Sequence, residues 1–246
     1  MCSLSFLPQG NGFTVLMNRD ERKDRPRPQE IILSEMVGIE KAYPKDPSAG
    51  GTWLGVNNFG LAIALLNFYP KSFAFRESLT SRGLIIPKFL EHQEHAIAVQ
   101  DFDRSSFKNF APFRIVFLQI GRPVQIRIWS GRHLKRISRP FEMFFLASSS
   151  WSDHFVRKHR TEQFKQLMND IGQQDLSPRD LRQFHFSRQG DQGATHLLMS
   201  RNDAQTTTIS QIEVSAQDIK LSSWWNPQNQ TFEELPSQQI SLRKKP

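Results

Sequence analysis

The sequence has 246 residues, 38% of them hydrophobic, and its 20 Phe and 5 Trp suffice for the core of a single domain spanning 1–246. Its 32 Lys and Arg against 24 Asp and Glu give a formal charge of +8, which attracts anions over short range. The basic residues are scattered, with no helix-turn-helix or aromatic RNA-reading pattern among them, so nucleic acid is not expected as a partner. The single cysteine excludes an intrachain disulfide and a cysteine-built metal cage; with no signal-like leader and no apolar run near ~18 residues, a cytoplasmic protein without an integral membrane segment is expected.

In chain order, Cys2 to Leu7 and Phe13 to Met17 read as a hairpin turning at Gly10-Asn-Gly12. A loop rich in charge and proline runs from Arg19 to about Pro47, interrupted at most by a short strand at Ile31 to Leu33. Strands at Thr52 to Val56 and Leu61 to Leu66 follow, joined by a turn at Asn57 to Gly60. Helical patterning covers Leu84 to His95 and continues towards Val99; strands return at Phe113 to Ile120, Val124 to Trp129 and Met143 to Ala147. Asp153 caps a helix with apolar positions at Val156, Phe164, Leu167, Met168 and Ile171, and Ser177-Pro178 opens a shorter one. Strands at His196 to Ser200, Thr206 to Val214 and Ile219 to Trp225 precede a polar, loosely ordered tail from about 227. Strand groups separated by helical groups argue for antiparallel sheets covered by helices, an α+β layered domain.

Cys2 carries the most chemical information, because methionine aminopeptidase cuts before small residues and would leave a cysteine with a free α-amine. Amine and thiol have ordinary pKa values of about 7.7 to 8.0 and about 8.5, so one residue can supply both nucleophile and base near neutrality. The second strand of the hairpin ends in Asn18-Arg19-Asp20-Glu21, which returns polar groups to the end of the sheet where Cys2 lies. An acid there can hold the protonated amine, and an arginine can stabilise a thiolate or a substrate carboxylate.

Other residues carry weaker signals. Gly50-Gly51 fits a tight turn or close backbone approach, since no P-loop or dinucleotide pattern follows, and Trp53 fits core or pocket wall. His92 and His95 lack the H-E-x-x-H spacing and read as a wet helix face; the remaining histidines are scattered, so no metal site is expected. Ser148 to Ser150 lack the G-x-S-x-G elbow of serine hydrolases.

The strings MCSLSFLP at residues 1–8, MNRDER at 17–22 and GGTWLGVN at 50–57 resemble the NRDE family, which includes the transport and Golgi organisation protein 2 of eukaryotes. A weaker match continues at Phe113 to Phe117 and from Met199 to Val214. The resemblance extends to the cysteine N-terminal-nucleophile hydrolases, such as bile-salt hydrolases, penicillin V acylases and acyl-CoA:6-aminopenicillanate acyltransferases. It implies a four-layer αββα sandwich with Cys2 as nucleophile, Asp20 as the acid near the amine, Arg19 as the neighbouring cation and Asn67 as an oxyanion donor. It also implies an arginine near the active centre at Arg201, and it moves a second polar contact to Ser148 or Ser149, where bile-salt hydrolases carry Asn.

Two functions follow from the resemblance. One is an amidohydrolase or acyltransferase acting through Cys2 on an acyl-amide or acyl-CoA ligand, with no cofactor required. The other is a non-catalytic haem-binding or haem-trafficking protein on the same fold, with haem as bound ligand. The first requires removal of Met1. Oligomeric state is not readable from the sequence.

Overall fold

The hairpin at the start of the chain forms because apolar and small polar residues alternate along it. Strand β1 (Cys2–Gln9) turns Leu4 and Phe6 to one face and Ser3 and Ser5 to the other, and β2 (Gly12–Arg22) pairs with it antiparallel around Gly10, at φ 41°. A computed structural model describes residues 2–71, 73, 79–150, 152–188, 193–227 and 231–243. The expectation that Met1 is removed falls outside these residues, as do parts of the expected loose tail.

After β2 come β3 (Gln29–Met36), β4 (Ile39–Lys45), β5 (Leu54–Asn57) and β6 (Ala62–Asn67), then a 3-10 turn (Arg82–Leu84) and helices α1 (Ile85–Phe89) and α2 (His95–Arg104). Strands β7 (Phe113–Leu118), β8 (Val124–Trp129), β9 (Leu134–Arg139) and β10 (Phe144–Ser148) precede α3 (Asp153–Ile171) and α4 (Pro178–His185). Strands β11 (Ala204–Val214), β12 (Asp218–Trp225) and β13 (Glu233–Ser241) follow.

Among the described residues these strands form two antiparallel sheets, ordered β10-β1-β2-β11-β12-β13 and β3-β4-β5-β6-β7-β8-β9. Three apolar clusters define the layers. Leu4, Phe6, Val15 and Met17 of the first sheet meet Val56, Ala64, Leu66 and Val116 of the second between the sheets. On the far side of the second sheet, Ile63, Ile115 and Phe117 pack against Ile86, Phe89 and Phe102 of α1 and α2. On the far side of the first, Leu16, Ile209 and Trp224 pack against Phe164 of α3 and Leu181 and Phe184 of α4. The order is therefore helix, sheet, sheet, helix, as an α+β sandwich requires.

Several elements differ from the sequence reading. The charged loop after Arg22 contains a full hairpin, β3 and β4, turning at Val37 (φ 52°) and Gly38 (φ 75°). Val37 is a β-branched residue in left-handed conformation, so the turn carries no Asn-Gly signature. Edge strand β9, sequence LKRISR, is predominantly basic, a composition that protects sheet edges and obscures strand periodicity. The single helix expected over Leu84 to Val99 is two, separated at Leu90–Glu94, and His95 is buried with Nε2 3.3 Å from the Phe117 carbonyl rather than on a wet face. His196 to Met199 is bend and irregular chain rather than strand, followed by one bridge, Ser200 to Gln205. The tail expected to be loose from about 227 includes β13, which pairs with β12 at the sheet edge. Ser177 caps α4 as read, with Asp180 completing a capping box and Pro178 in the first turn.

The outward polar residues of β1 and β2 are buried under α3 and α4. Asn18 donates from Nδ2 to the carbonyls of His185 and Leu197, at 2.8 Å each, and its Oδ1 accepts from His185 Nδ1 at 2.6 Å. That fixes the tautomer, so Nε2 accepts from the Ser5 hydroxyl. Burial, with Arg160 nearby, lowers the His185 pKa from 6.5 to about 3. The unfolded imidazole therefore takes up a proton below pH 6.5 that the folded one refuses, and this contribution to stability is complete above that pH and is lost as pH falls towards about 3. Chemical unfolding at pH 7 and pH 5 should show a loss of about 2 kcal/mol from this residue, absent in His185→Gln. An equal pH dependence in both proteins would refute the neutral, buried histidine.

Candidate active site

Strand register assembles one side of the site. Cys2 lies opposite Ser148 of β10 and opposite Arg19 of β2, and Arg19 lies opposite Thr208 of β11. Directly opposed residues share a face, so Ser148, Cys2, Arg19 and Thr208 form a row on the inner face of the first sheet. The Ser148 and Thr208 hydroxyls are buried and, among the described residues, without a hydrogen-bond partner.

Alternation along β2 divides the four-residue motif at Asn18 to Glu21 between two environments. Arg19 and Glu21 line a cavity beside Cys2, whereas Asn18 and Asp20 face the helices. Asp20 forms a fully buried ion pair with Arg160 of α3 at 2.9 Å, accepts from the Thr206 hydroxyl at 2.7 Å, and does not line the cavity. Asp20, expected as the acid near the Cys2 amine, thus lies on the helix side of β2 while its charge still acts on the Cys2 thiol; the carboxylate that lines the cavity with Cys2 is Glu21, one residue further along the strand.

The second sheet and its connections complete the cavity, of about 100 Å³. Asn67, the last residue of β6, reaches it from that sheet, with Trp53 before β5 and Arg82 from the 3-10 turn. Asn67 Nδ2 donates to the Tyr69 hydroxyl at 3.0 Å, which leaves its second amide N–H for another acceptor. Gly51 and Gly83 allow the walls to close: a Cβ on Gly51 would lie 2.5 Å from the Gly83 carbonyl carbon, and Thr52 N donates to Gly83 O at 3.1 Å. The glycine pair is therefore a close backbone approach.

Arg19 and Arg25 both bind Asp46 Oδ2, at 2.6 and 2.5 Å; Arg19 also lies 3.5 Å from Glu21 and stacks 4.6 Å over Trp53. Burial alone would raise the Asp46 pKa, but the Arg25 hydrogen bond and the two guanidinium charges hold it below the ordinary value. Burial pushes the Cys2 thiol up, Asp20 and Glu21 add to that, and Arg19 opposes it, so at neutral pH the thiol keeps its proton until a base removes it. Burial also pushes Tyr69 up to about 12, leaving a neutral phenol.

Cys2, Arg19 and Asn67 thus line one cavity, and Asp20 lies on the opposite face of β2, close enough for its charge to act on the Cys2 thiol. Arg201 pairs with Asp203 at 2.9 Å at the start of β11 and does not line the cavity. Ser148 lies beside Cys2, while Ser149 N donates to Asp153 Oδ1 at 3.0 Å. The sequence reading placed Glu21 in the polar cluster near Cys2 without singling it out, although its two-residue spacing from Arg19 on a strand was a local signal, and it missed Arg25, Asp46, Tyr69 and Arg82 as site residues. Among the described residues no group of three His, Cys, Asp or Glu side chains could hold a metal, and no helix is long and apolar enough to cross a membrane.

A family model described as Transport and Golgi organisation 2 matches residues 1–232. No curated protein matches the sequence. Among solved structures, the chain resembles the Caenorhabditis elegans ortholog of N-acylethanolamine-hydrolyzing acid amidase, with a TM-score of 0.58 at 13% identity, over 86% of this chain and 92% of that one. It also resembles penicillin V acylase from Agrobacterium tumefaciens, with a TM-score of 0.58 at 10% identity, over 91% and 83% of the two chains. A C2A mutant of conjugated bile acid hydrolase from Clostridium perfringens aligns with a TM-score of 0.60 at 8% identity, over 100% and 97%. These likenesses identify the N-terminal-nucleophile hydrolase fold.

The division of the motif has a measurable consequence. Asp20→Ala leaves the Arg160 charge buried and unpaired and should cost about 3–5 kcal/mol in denaturant unfolding, whereas Glu21→Gln at the cavity rim should change stability by about 0.5 kcal/mol or less. Equal losses would contradict the assignment of the two carboxylates to opposite faces.

Proposed function

The chain belongs to the Transport and Golgi organisation 2 family, and on that premise we propose that it acts as a cysteine N-terminal-nucleophile amidohydrolase or acyltransferase on a small acyl-amide or acyl thioester. The observation that carries this reading is that Cys2 from one sheet and Asn67 from the other line one cavity.

The chemistry begins with removal of Met1, which frees the α-amine of Cys2. That amine takes the thiol proton, a step the raised thiol pKa makes necessary. Sγ attacks the acyl carbon, the new C–S bond displaces the carbonyl π pair onto oxygen, and the free N–H of Asn67 donates to the oxyanion. Collapse breaks the bond to the leaving amine or thiol, which departs with the proton from the α-ammonium. Water, deprotonated by the same amine, then hydrolyses the thioester and restores the thiol; an acceptor amine in place of water gives acyl transfer. Arg19, anchored by Asp46 and Trp53, holds positive charge beside the thiolate throughout.

The haem alternative is less well supported. A haem carrier needs a large apolar slot, whereas the described lining of this cavity includes Arg19, Glu21, Arg25, Asp46 and Arg82 and neither His nor Met.

Intact-protein mass, measured before and after incubation with a panel of acyl-amides, acyl-CoAs and haem, should reveal a chain lacking Met1 and a covalent acyl adduct that disappears in Cys2→Ala. Asn67→Ala should slow acylation by about 10²–10³-fold with Met1 removal unchanged. Retention of Met1, or an adduct that persists in Cys2→Ala, would refute the mechanism.

A further inference from the structure

We infer that Arg82 is a specificity-determining residue that binds a carboxylate on the ligand, so that the substrate class is an acyl-amide bearing an acidic group a few bonds from its reactive carbonyl. The inference deepens the proposed function and rests on Cys2 and Asn67 marking where that carbonyl sits.

The argument starts from the charges around the cavity. Three guanidinium groups line it, Arg19, Arg25 and Arg82, against two carboxylates, Glu21 and Asp46. Both carboxylates are committed elsewhere. Asp46 Oδ2 accepts from Arg19 and from Arg25, its Oδ1 accepts from the backbone N–H of Ser48 at 2.9 Å, and Glu21 lies 3.5 Å from Arg19.

Arg82 has a different set of partners. Its Nη1 donates to the Pro112 carbonyl at 3.0 Å, and among the described residues no carboxylate lies within salt-bridge distance of it. A guanidinium carries five N–H donors in a rigid planar fork suited to a carboxylate, and one such bond leaves most of the fork unused. The group is half-buried: desolvation lowers its pKa, opposed by Tyr69, Cys2 and Glu21 nearby. A cation in that position has paid for desolvation without an anion to offset it, and a ligand carboxylate would supply one.

Two further features separate Arg82 from a mobile surface arginine. Its turn is pinned to the cavity wall, since Gly83 O accepts from Thr52 N and a Cβ on Gly83 would lie 2.8 Å from that nitrogen. The cavity is also small, about 100 Å³, so a group held by Arg82 and a carbonyl at Cys2 occupy the same confined space. That confinement keeps the acidic group and the reactive carbonyl close together in the ligand.

The test separates binding from chemistry by using the full chain with Cys2→Ala. Isothermal titration calorimetry compares N-hexanoylglycine with its neutral methylamide. The carboxylate ligand should bind about tenfold tighter or more, in line with a charge-assisted pair, and the ratio should fall to about 1 when Arg82→Gln is added and recover in part with Arg82→Lys. Equal affinity for the two ligands in the Cys2→Ala protein, binding of neither at millimolar concentration, or a preference that survives Arg82→Gln each overturns the inference. The first two comparisons need no Arg82 variant and so do not depend on that variant folding. Arg82-dependent binding without a Cys2 adduct in the intact protein would refute the catalytic reading alone; a Cys2 adduct formed equally well from the neutral amide would refute the role of Arg82 alone.

Discussion

The buried ion pair between Asp20 and Arg160 ties the site to the rest of the fold. Both side chains are fully excluded from solvent, and Arg160 also donates to the Ser3 hydroxyl at 2.8 Å and to the Ala194 carbonyl at 3.3 Å. One guanidinium therefore joins α3 to β1, to β2 and to the segment before β11. Charges so placed are tolerated only when paired and hydrogen-bonded, which makes the approach of α3 to the sheet specific in position as well as apolar. Because Asp20 points to that side, strand geometry obliges Arg19 and Glu21 to point to the other, beside Cys2.

On the cavity side the chemistry is organised by sharing. One carboxylate oxygen of Asp46 restrains both Arg19 and Arg25, and the Trp53 ring supports the Arg19 guanidinium from its face. A cation held in this way is preorganised, so it loses little further entropy when a thiolate or ligand anion forms beside it. Burial keeps the thiol protonated, which makes an internal base part of the proposed chemistry and gives removal of Met1 its chemical meaning. The two sheets contribute separately: the first supplies Cys2, Arg19 and Glu21 through strand pairing, and the second supplies Asn67 at the end of a strand, with Trp53 and Arg82 from its connections.

Much of the fold was legible because its central strands alternate cleanly. The hairpin at Cys2 to Met17, the pair around Asn57 to Gly60 and the capping signals at Ser177 and Pro178 all rest on contacts between near neighbours in the chain. Of the four edge strands among the described residues, β10 was legible, β3 only in part, and β9 and β13 not at all. Strands β3, β9 and β13 bury only one face or part of one, and their charged or polar residues read as loop because the pairing that holds them is supplied by a neighbouring strand. The site was legible to a similar extent. Cys2, Arg19 and Asn67 reach one cavity, whereas Arg201 pairs with Asp203 outside it; Asp20 points to the helices, because a strand offers alternate residues to opposite faces and a motif read as a string does not reveal which face is which.

By itself, the sequence determined the strand-forming periods, the placement of Cys2 directly after Met1 and the polar cluster that returns beside it. These depend on residue type and on separations of a few positions. Only the tertiary structure decided which side of β2 faces the nucleophile, that Asp46, Arg25 and Arg82 join the cavity from distant segments, and that Arg160 claims Asp20. Those outcomes depend on how two sheets and two helical layers stack, and stacking is set by burial and pairing between residues distant in the chain, such as Asp20 and Arg160, 140 positions apart.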